Sequence, residues 1–412
     1  MISSMRDGID EARRPSGRWR VWAIGVLGVA AVAISDLQVR QWKWSSDSLG
    51  PSSHLAVLCL VYVALGVSAW LGMRVAPQMG GDPQLRSLVL FLLVAFVGSV
   101  LASDPSRSLF IWLGFCSVGL AVFVVVRRGG LDAALFGVAF GCVAISLGSL
   151  MADRDGMASN VWGRLSGIAF EPNLLGQLSG LGLVCALVLV LRRRLSKLIF
   201  VLPAVPLLTS AWQTGTRTTW PALGVSVLVI VGWRYWRSVA VLAVVTATVV
   251  IGFGLLEPIS DQVRRSDSEN LTELRGRVDV WEWSLAESWE LPVFGHGMGS
   301  GREMFREARS NGDVWANTPS SHNLVLEILR ESGALGLGFL LGAVILSAPW
   351  RCRETAVLFG YLAVSGLTMP TTGLPGLVFA AWVIVIAGPA PVTQPSTNAQ
   401  PQSSTPTHQL LA

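Results

Sequence analysis

Of the four histidines in this chain, His54, His296, His322 and His408, one stands in a context that suggests chemistry. Ser321-His322-Asn323 is followed by nine intervening residues and then Gly333, at the end of the longest polar stretch between apolar runs. An imidazole ionises near pH 6.5, so it can accept a proton from a sugar hydroxyl at neutral pH. The plainer alternative is a histidine that merely caps a helix start. His296 competes for the same role, but in Gly295-His296-Gly297 it reads as a mobile turn residue.

Arginine supplies the second half of the pattern. Arg164 lies in Arg164-Leu165-Ser166-Gly167, Arg217 in Thr216-Arg217-Thr218, and Arg275 and Arg277 open a helical segment. A guanidinium is planar, always charged, and forks onto phosphate oxygens in a way an ammonium does not. The only two lysines, Lys43 and Lys197, lie elsewhere. Each arginine taken singly could instead be a snorkelling or ion-paired residue at a membrane surface. A proton acceptor beside several guanidiniums suits an anionic, lipid-linked substrate. The glycines at 295, 297, 299 and 301 imitate a dinucleotide loop, but no strand precedes them. No His/Cys/Asp/Glu set has metal-ligand spacing, so neither metal nor cofactor is expected.

The elements that must carry these residues are membrane helices. The 412 residues are 52% hydrophobic and 14% charged, with mean hydropathy +0.55, whereas a soluble domain is about a quarter charged. Apolar runs at 21–38, 54–73, 87–103, 108–126, 131–151, 173–191, 196–212, 219–234, 238–256, 331–349, 355–370 and 374–388 predict an all-α polytopic protein with about twelve crossings. Pro203 and Pro206 predict that 196–212 is kinked or short.

If each run crosses once, Arg13 to Arg20, Arg74, Arg86, Arg127-Arg128, Arg192 to Arg194, Arg234, Arg237, Arg351 and Arg353 all fall on one side. The positive-inside rule makes that side cytoplasmic, with both termini on it. The net charge of +5 is then an orientation signal and no sign of nucleic-acid binding. Residues 36–53, 152–172, 213–218 and 257–322 are expected to face outward, where arginine runs against the prevailing bias. The five cysteines lie in or beside apolar runs and suggest no disulfide framework.

The expected organisation is a basic cytoplasmic tail (1–20), nine helices (21–256), a large outward helical loop (257–322), three helices (323–388) and a disordered tail rich in Pro, Ser and Thr (389–412). Tryptophans at helix ends form the interfacial belt. Within the loop, 274–290 predicts an amphipathic helix lying in the interface plane, with Val278, Trp281, Leu285 and Trp289 as its apolar face. Glu327, Arg330 and Glu331 should not meet lipid, so 323–331 is expected as a helical lead-in at the outer surface, with the crossing starting near Gly333.

Taken in order, four stretches resemble the O-antigen ligase and O-antigen polymerase superfamily of bacterial envelope proteins. They are Arg164-Leu165-Ser166-Gly167 leading to Pro172-Asn173; Thr216-Arg217-Thr218; Arg277-Val278-Asp279-Val280-Trp281 with Pro292 and Gly295-His296-Gly297; and His322-Asn323 with Gly333. The resemblance spans about 164–336. It implies transfer of a glycan, without metal, from an undecaprenyl-diphosphate carrier to an acceptor glycan or glycolipid at the outer face of the cytoplasmic membrane. Ligases use an acceptor such as lipid A-core, polymerases the next repeat unit, and some relatives glycosylate proteins. His322, Arg217 and Arg277 are the catalytic candidates. Arg164, Arg275 and Asn323 are the substrate-binding candidates. A transporter or flippase of an anionic lipid, and an inactive scaffold, are the competing readings.

Overall fold

The computed structural model describes residues 82–154, 164–169, 171–233, 272–313, 320–367 and 376–388. Eleven α-helices are described: α1 Pro83–Leu101, α2 Pro105–Gly129, α3 Leu131–Arg154, α4 Pro172–Leu191, α5 Lys197–Gln213, α6 Thr219–Val231, α7 Thr272–Ser288, α8 Gly301–Asn311, α9 Leu324–Ser347, α10 Arg353–Gly366 and α11 Leu377–Ala387. Nine of them coincide with expected crossings, while α7 and α8 belong to the large loop. The expected runs at 21–38, 54–73 and 238–256, and both tails, lie outside the described residues. Among the described residues there are no strands, and five helices (α1, α2, α3, α4 and α9) are long and apolar enough to cross a membrane.

The helix starts follow from local chemistry. Asp82-Pro83 and Asp104-Pro105 each combine a capping carboxylate with a proline at the first helical position, where its missing N–H costs nothing and its φ is already helical. Ser196 caps α5, which runs through Pro203 and Pro206 as one 17-residue helix with an exposed apolar flank. Lipid-facing sides such as that of α5 stay apolar because the bilayer offers no hydrogen-bond partner.

The central helix is α4, buried on nearly every side. Its small residues let neighbours approach closely, the usual device where lipid tails give no hydrophobic drive between helices. A Cβ at Gly180 would lie 2.4 Å from the Tyr361 hydroxyl, and that hydroxyl donates to the Gln177 carbonyl at 2.6 Å. Helix α11 is apolar all round and buried throughout, as a bundle-core helix should be.

The basic clusters gather at one end of the bundle. Arg127 pairs with Asp82, and Arg192 with Asp132. Arg194 reaches Asp132 at 2.7 Å, Arg192 reaches Glu354 at 3.7 Å, and Arg353 donates to the Ile230 carbonyl at 2.7 Å. The hairpin alternation expected from arginine placement agrees with these contacts. At the opposite end lie the turns that join α1 to α2 and α5 to α6, together with the described part of the loop. There Ser108 donates to the Met298 carbonyl at 2.8 Å, and Arg107 pairs with Glu303 at 3.1 Å.

The loop helix is Thr272–Ser288; Val280, Ser284 and Ser288 are buried against the protein and Trp281 partly so, while Leu285 and Trp289 of the expected apolar face are exposed. One expectation needs correction. The 323–331 segment is helical, but Glu327, Arg330 and Glu331 do not lie at the surface. They are buried, at 2%, 0% and 2% exposure, because α8 and the Ser321 turn fold over them.

Candidate active site

Asn323 begins α9 by accepting bonds from the Val325 and Leu326 N–H groups at 3.0 and 3.3 Å. Its amide also donates to the Leu367 carbonyl at 3.4 Å. Asn323 is thus a helix cap first, and its side chain is engaged on both sides. Gly333, ten residues further on, breaks the helix at φ 67° and ψ −176°, a conformation open essentially to glycine alone. A Cβ there would lie 2.2 Å from the Val293 carbonyl oxygen. The spacing between Asn323 and Gly333 therefore measures a short helix of fixed length, capped at one end and broken at the other.

That break lets the loop lie along α9. The His296 and Gly297 N–H groups donate to the Arg330 and Glu331 carbonyls at 2.8 and 3.0 Å, and the Ala334 N–H to the Pro292 carbonyl at 2.7 Å. His296 is consequently a held residue, contrary to the mobile turn expected from its flanking glycines. Its Nε2 lies 3.0 Å from the Glu287 carbonyl oxygen. The fold also draws Glu287, Glu290 and His296 together, with ligand atoms within 4.8 Å of one another. The sequence showed no metal-like set here, because the three residues converge only once α7 meets the glycine turn. Burial first, then the neighbouring Glu290, raises the Glu287 carboxyl above the usual carboxylate range, against the opposing pull of His296 and Arg330.

His322 itself adopts φ 50°, a left-handed conformation that histidine enters more readily than most side chains. Its neighbours hold it there. The Ser321 N–H and hydroxyl lie 2.9 and 2.6 Å from Glu327 Oε2. The Trp281 indole donates to the Ser321 carbonyl at 2.9 Å, tying α7 to the turn. Glu327 Oε1 accepts from Arg330 Nη2 at 2.9 Å, and the Arg330 guanidinium sits 4.8 Å from the Phe305 ring centre. Sequence reasoning noticed Glu327 and Arg330 only as charges to be kept from lipid. Their spacing of three residues was the available signal that they pair.

The Arg217 turn is built differently. Thr216 is buried, its hydroxyl donating to the Pro172 carbonyl at 3.1 Å, while Arg217 beside it is exposed. Arg164 braces this turn from below, donating to the Thr214 carbonyl at 2.7 Å and to Asn173 at 2.6 Å. Arg275 and Arg277 stand in the first two turns of α7, Arg277 one turn ahead of Trp281.

The turns of His322 and Arg217 lie at the same end of the bundle, linked through shared helices. Asn323 touches Leu367 just past α10, Ser365 of α10 bonds Gln177 of α4 at 3.3 Å, and the first residue of α4, Pro172, receives Thr216. Residues 202–341, about a third of the chain, match the family described as O-antigen ligase. The match contains Arg217, Arg275, Arg277, His322, Asn323 and Gly333, and leaves out Arg164. No curated protein matches the chain.

Proposed function

We propose that this chain, whose residues 202–341 match the O-antigen ligase family, is a membrane glycosyltransferase of the O-antigen ligase and polymerase superfamily. It moves a glycan from an undecaprenyl-diphosphate carrier to an acceptor hydroxyl at the outer face of the bacterial cytoplasmic membrane. Both termini are cytoplasmic in this reading, which extends the positive-inside argument. His322 removes the proton from the acceptor hydroxyl. The oxygen attacks the anomeric carbon, the bond from that carbon to the diphosphate oxygen breaks, and the configuration inverts. Arg217 and Arg277 grip the diphosphate and stabilise the charge that grows on it. Preorganised donors of this kind contribute about 3–4 kcal/mol each to a barrier. Arg164 and Arg275 give secondary phosphate contacts, and Arg164 also holds the turn that carries Arg217. Asn323 sets the start of α9 beside the acceptor site.

The observation that carries this reading is the fixing of Ser321-His322-Asn323 from both sides, by Trp281 of the arginine-bearing loop helix and by Glu327 of α9. A general base needs such a fixed imidazole. Among the described residues, the buried charged ones are Asp132, in the first turn of α3, and Glu327, Arg330 and Glu331, in the short part of α9 before the Gly333 break. A transporter or flippase would instead place ionisable groups near the midplane. Polymerisation, with the next repeat unit as acceptor, uses the same residues and is the second reading.

Purified protein in liposomes, given a lipid-linked glycan and a glycolipid acceptor, should form a new glycosidic linkage. His322→Ala should insert and accumulate normally while losing roughly a hundredfold or more in rate. Wild-type transfer by that variant would remove His322 as the base. Movement of donor across the bilayer with no new linkage would favour the transporter.

A further inference from the structure

Three charged side chains lie buried at the foot of the His322 turn, and membrane insertion alone does not explain them. Each buried ion carries a desolvation cost of several kcal/mol, and well-packed apolar residues of similar size are often as stable or more so. Charges kept in such a place specify geometry better than they add stability, and the geometry concerned is legible from the bonds. Every polar group of Ser321 is fixed: its N–H and hydroxyl by Glu327 Oε2 and its carbonyl by Trp281. The residue on the other side of His322 is fixed as the cap of α9. His322 lies between these two fixed residues, at its left-handed φ.

Glu327 is itself held. Its second oxygen is bonded to Arg330, whose guanidinium has no exposure and packs against Gly301 and the Phe305 ring, one turn apart on α8. A Cβ at Gly301 would lie 2.2 Å from Arg330 Nη2, so the guanidinium has no room to swing away on that side.

We infer that Glu327 is the positioning residue for His322, acting through Ser321, with Arg330 as the counter-charge that holds its carboxylate in place. It does not touch substrate. The inference rests on the proposed role of His322 only for its catalytic readout.

The test compares Glu327→Gln with wild type in the liposome transfer assay and, separately, in carbethoxylation of His322 followed by mass spectrometry of its peptide. Misplacing a catalytic group by about 1 Å costs on the order of a hundredfold. The variant should therefore lose about 30- to 100-fold in kcat per folded enzyme, with the donor KM within about twofold. The carbethoxylation rate of His322 should change by at least about threefold, reflecting an imidazole in a different setting. A kcat and a carbethoxylation rate both within twofold of wild type would overturn the inference, as would a fall in folded protein with kcat per folded enzyme unchanged. If Glu327→Gln fails to fold, Ser321→Ala, which deletes one hydroxyl, should give the same two effects at about tenfold and twofold; wild-type values in both would again overturn it. Failure of wild-type protein to form any linkage would strike the proposed function, and the carbethoxylation arm would still decide the role of Glu327.

Discussion

A guanidinium and an ammonium carry the same charge but hold a diphosphate differently, and in the proposed mechanism Arg277 is where that difference is most measurable. It stands one turn ahead of Trp281 on the helix whose indole grips the His322 turn. Arg277→Lys keeps the charge and loses the fork. Its transfer rate should fall about tenfold to a hundredfold, with protein abundance unchanged; full activity would reduce Arg277 to a structural role. Glu287 is the other residue with a consequence of its own. Its carboxyl titrates above the ordinary range in the folded protein, so the folded state holds that proton more tightly than the unfolded chain does. The resulting stabilisation is complete below the unfolded value of about 4.3 and is lost as pH rises through the raised folded value. Glu287→Gln removes that loss. It should melt about 1–3 °C above wild type at pH 7 and equal it near pH 4; parallel melting curves across that range would refute the account. Transfer should also survive chelation, because the diphosphate is answered by arginines in the proposed mechanism. Abolition by a chelator would direct attention to Glu287, Glu290 and His296 as ligands.

The elements show why some of this was legible from residue types alone. The Asp-Pro starts of α1 and α2 and the Asn323 cap are local chemistry, and the helices begin where that chemistry says. Gly333 was readable only as an expected start of the crossing, on the ground that the charges before it should not face lipid. What it does there was not readable. Its backbone conformation exists to admit the Pro292–Gly297 segment alongside α9, a contact between residues some forty positions apart. Gly333→Ala meets both an adverse φ and an overlap with the Val293 carbonyl. It should cost about 3 kcal/mol or more and lower both abundance and melting temperature in detergent; wild-type stability would mean the loop does not depend on the break. The burial of Glu327, Arg330 and Glu331 was hidden for the same kind of reason. Their spacing resembles an ordinary polar helix face until Phe305 and Ser321 arrive from elsewhere in the chain to cover it.

Across the whole molecule, the alternation of arginine clusters was the most transferable signal, because each cluster marks a helix end independently of packing. The contacts of Arg127, Arg192, Arg194 and Arg353 gather those ends together. The amphipathic reading of α7 set the helix in the interface plane with Val278, Trp281, Leu285 and Trp289 as its apolar face; of these, Trp281 turns to the protein. The apolar residues Leu285 and Trp289, at 44% and 73% exposure, continue into Leu291 and Val293 and leave Val280 and the serines to face the protein. This apolar strip adjoins the end of α1, where the Phe294 carbonyl packs on Gly98 and Val97, Val100 and Leu101 are also exposed. In the proposed orientation the exposed flank of α1 and this strip both face lipid, with α7 against the outer leaflet at headgroup depth. A bimane probe on Trp289→Cys in liposomes should be quenched at least about threefold more by shallow spin-labelled lipid than by aqueous iodide. Equal or greater iodide quenching would place the strip in water. The loop would then need a protein partner to cover it, and Arg277 would be held at the membrane by Trp281 and the His322 turn alone.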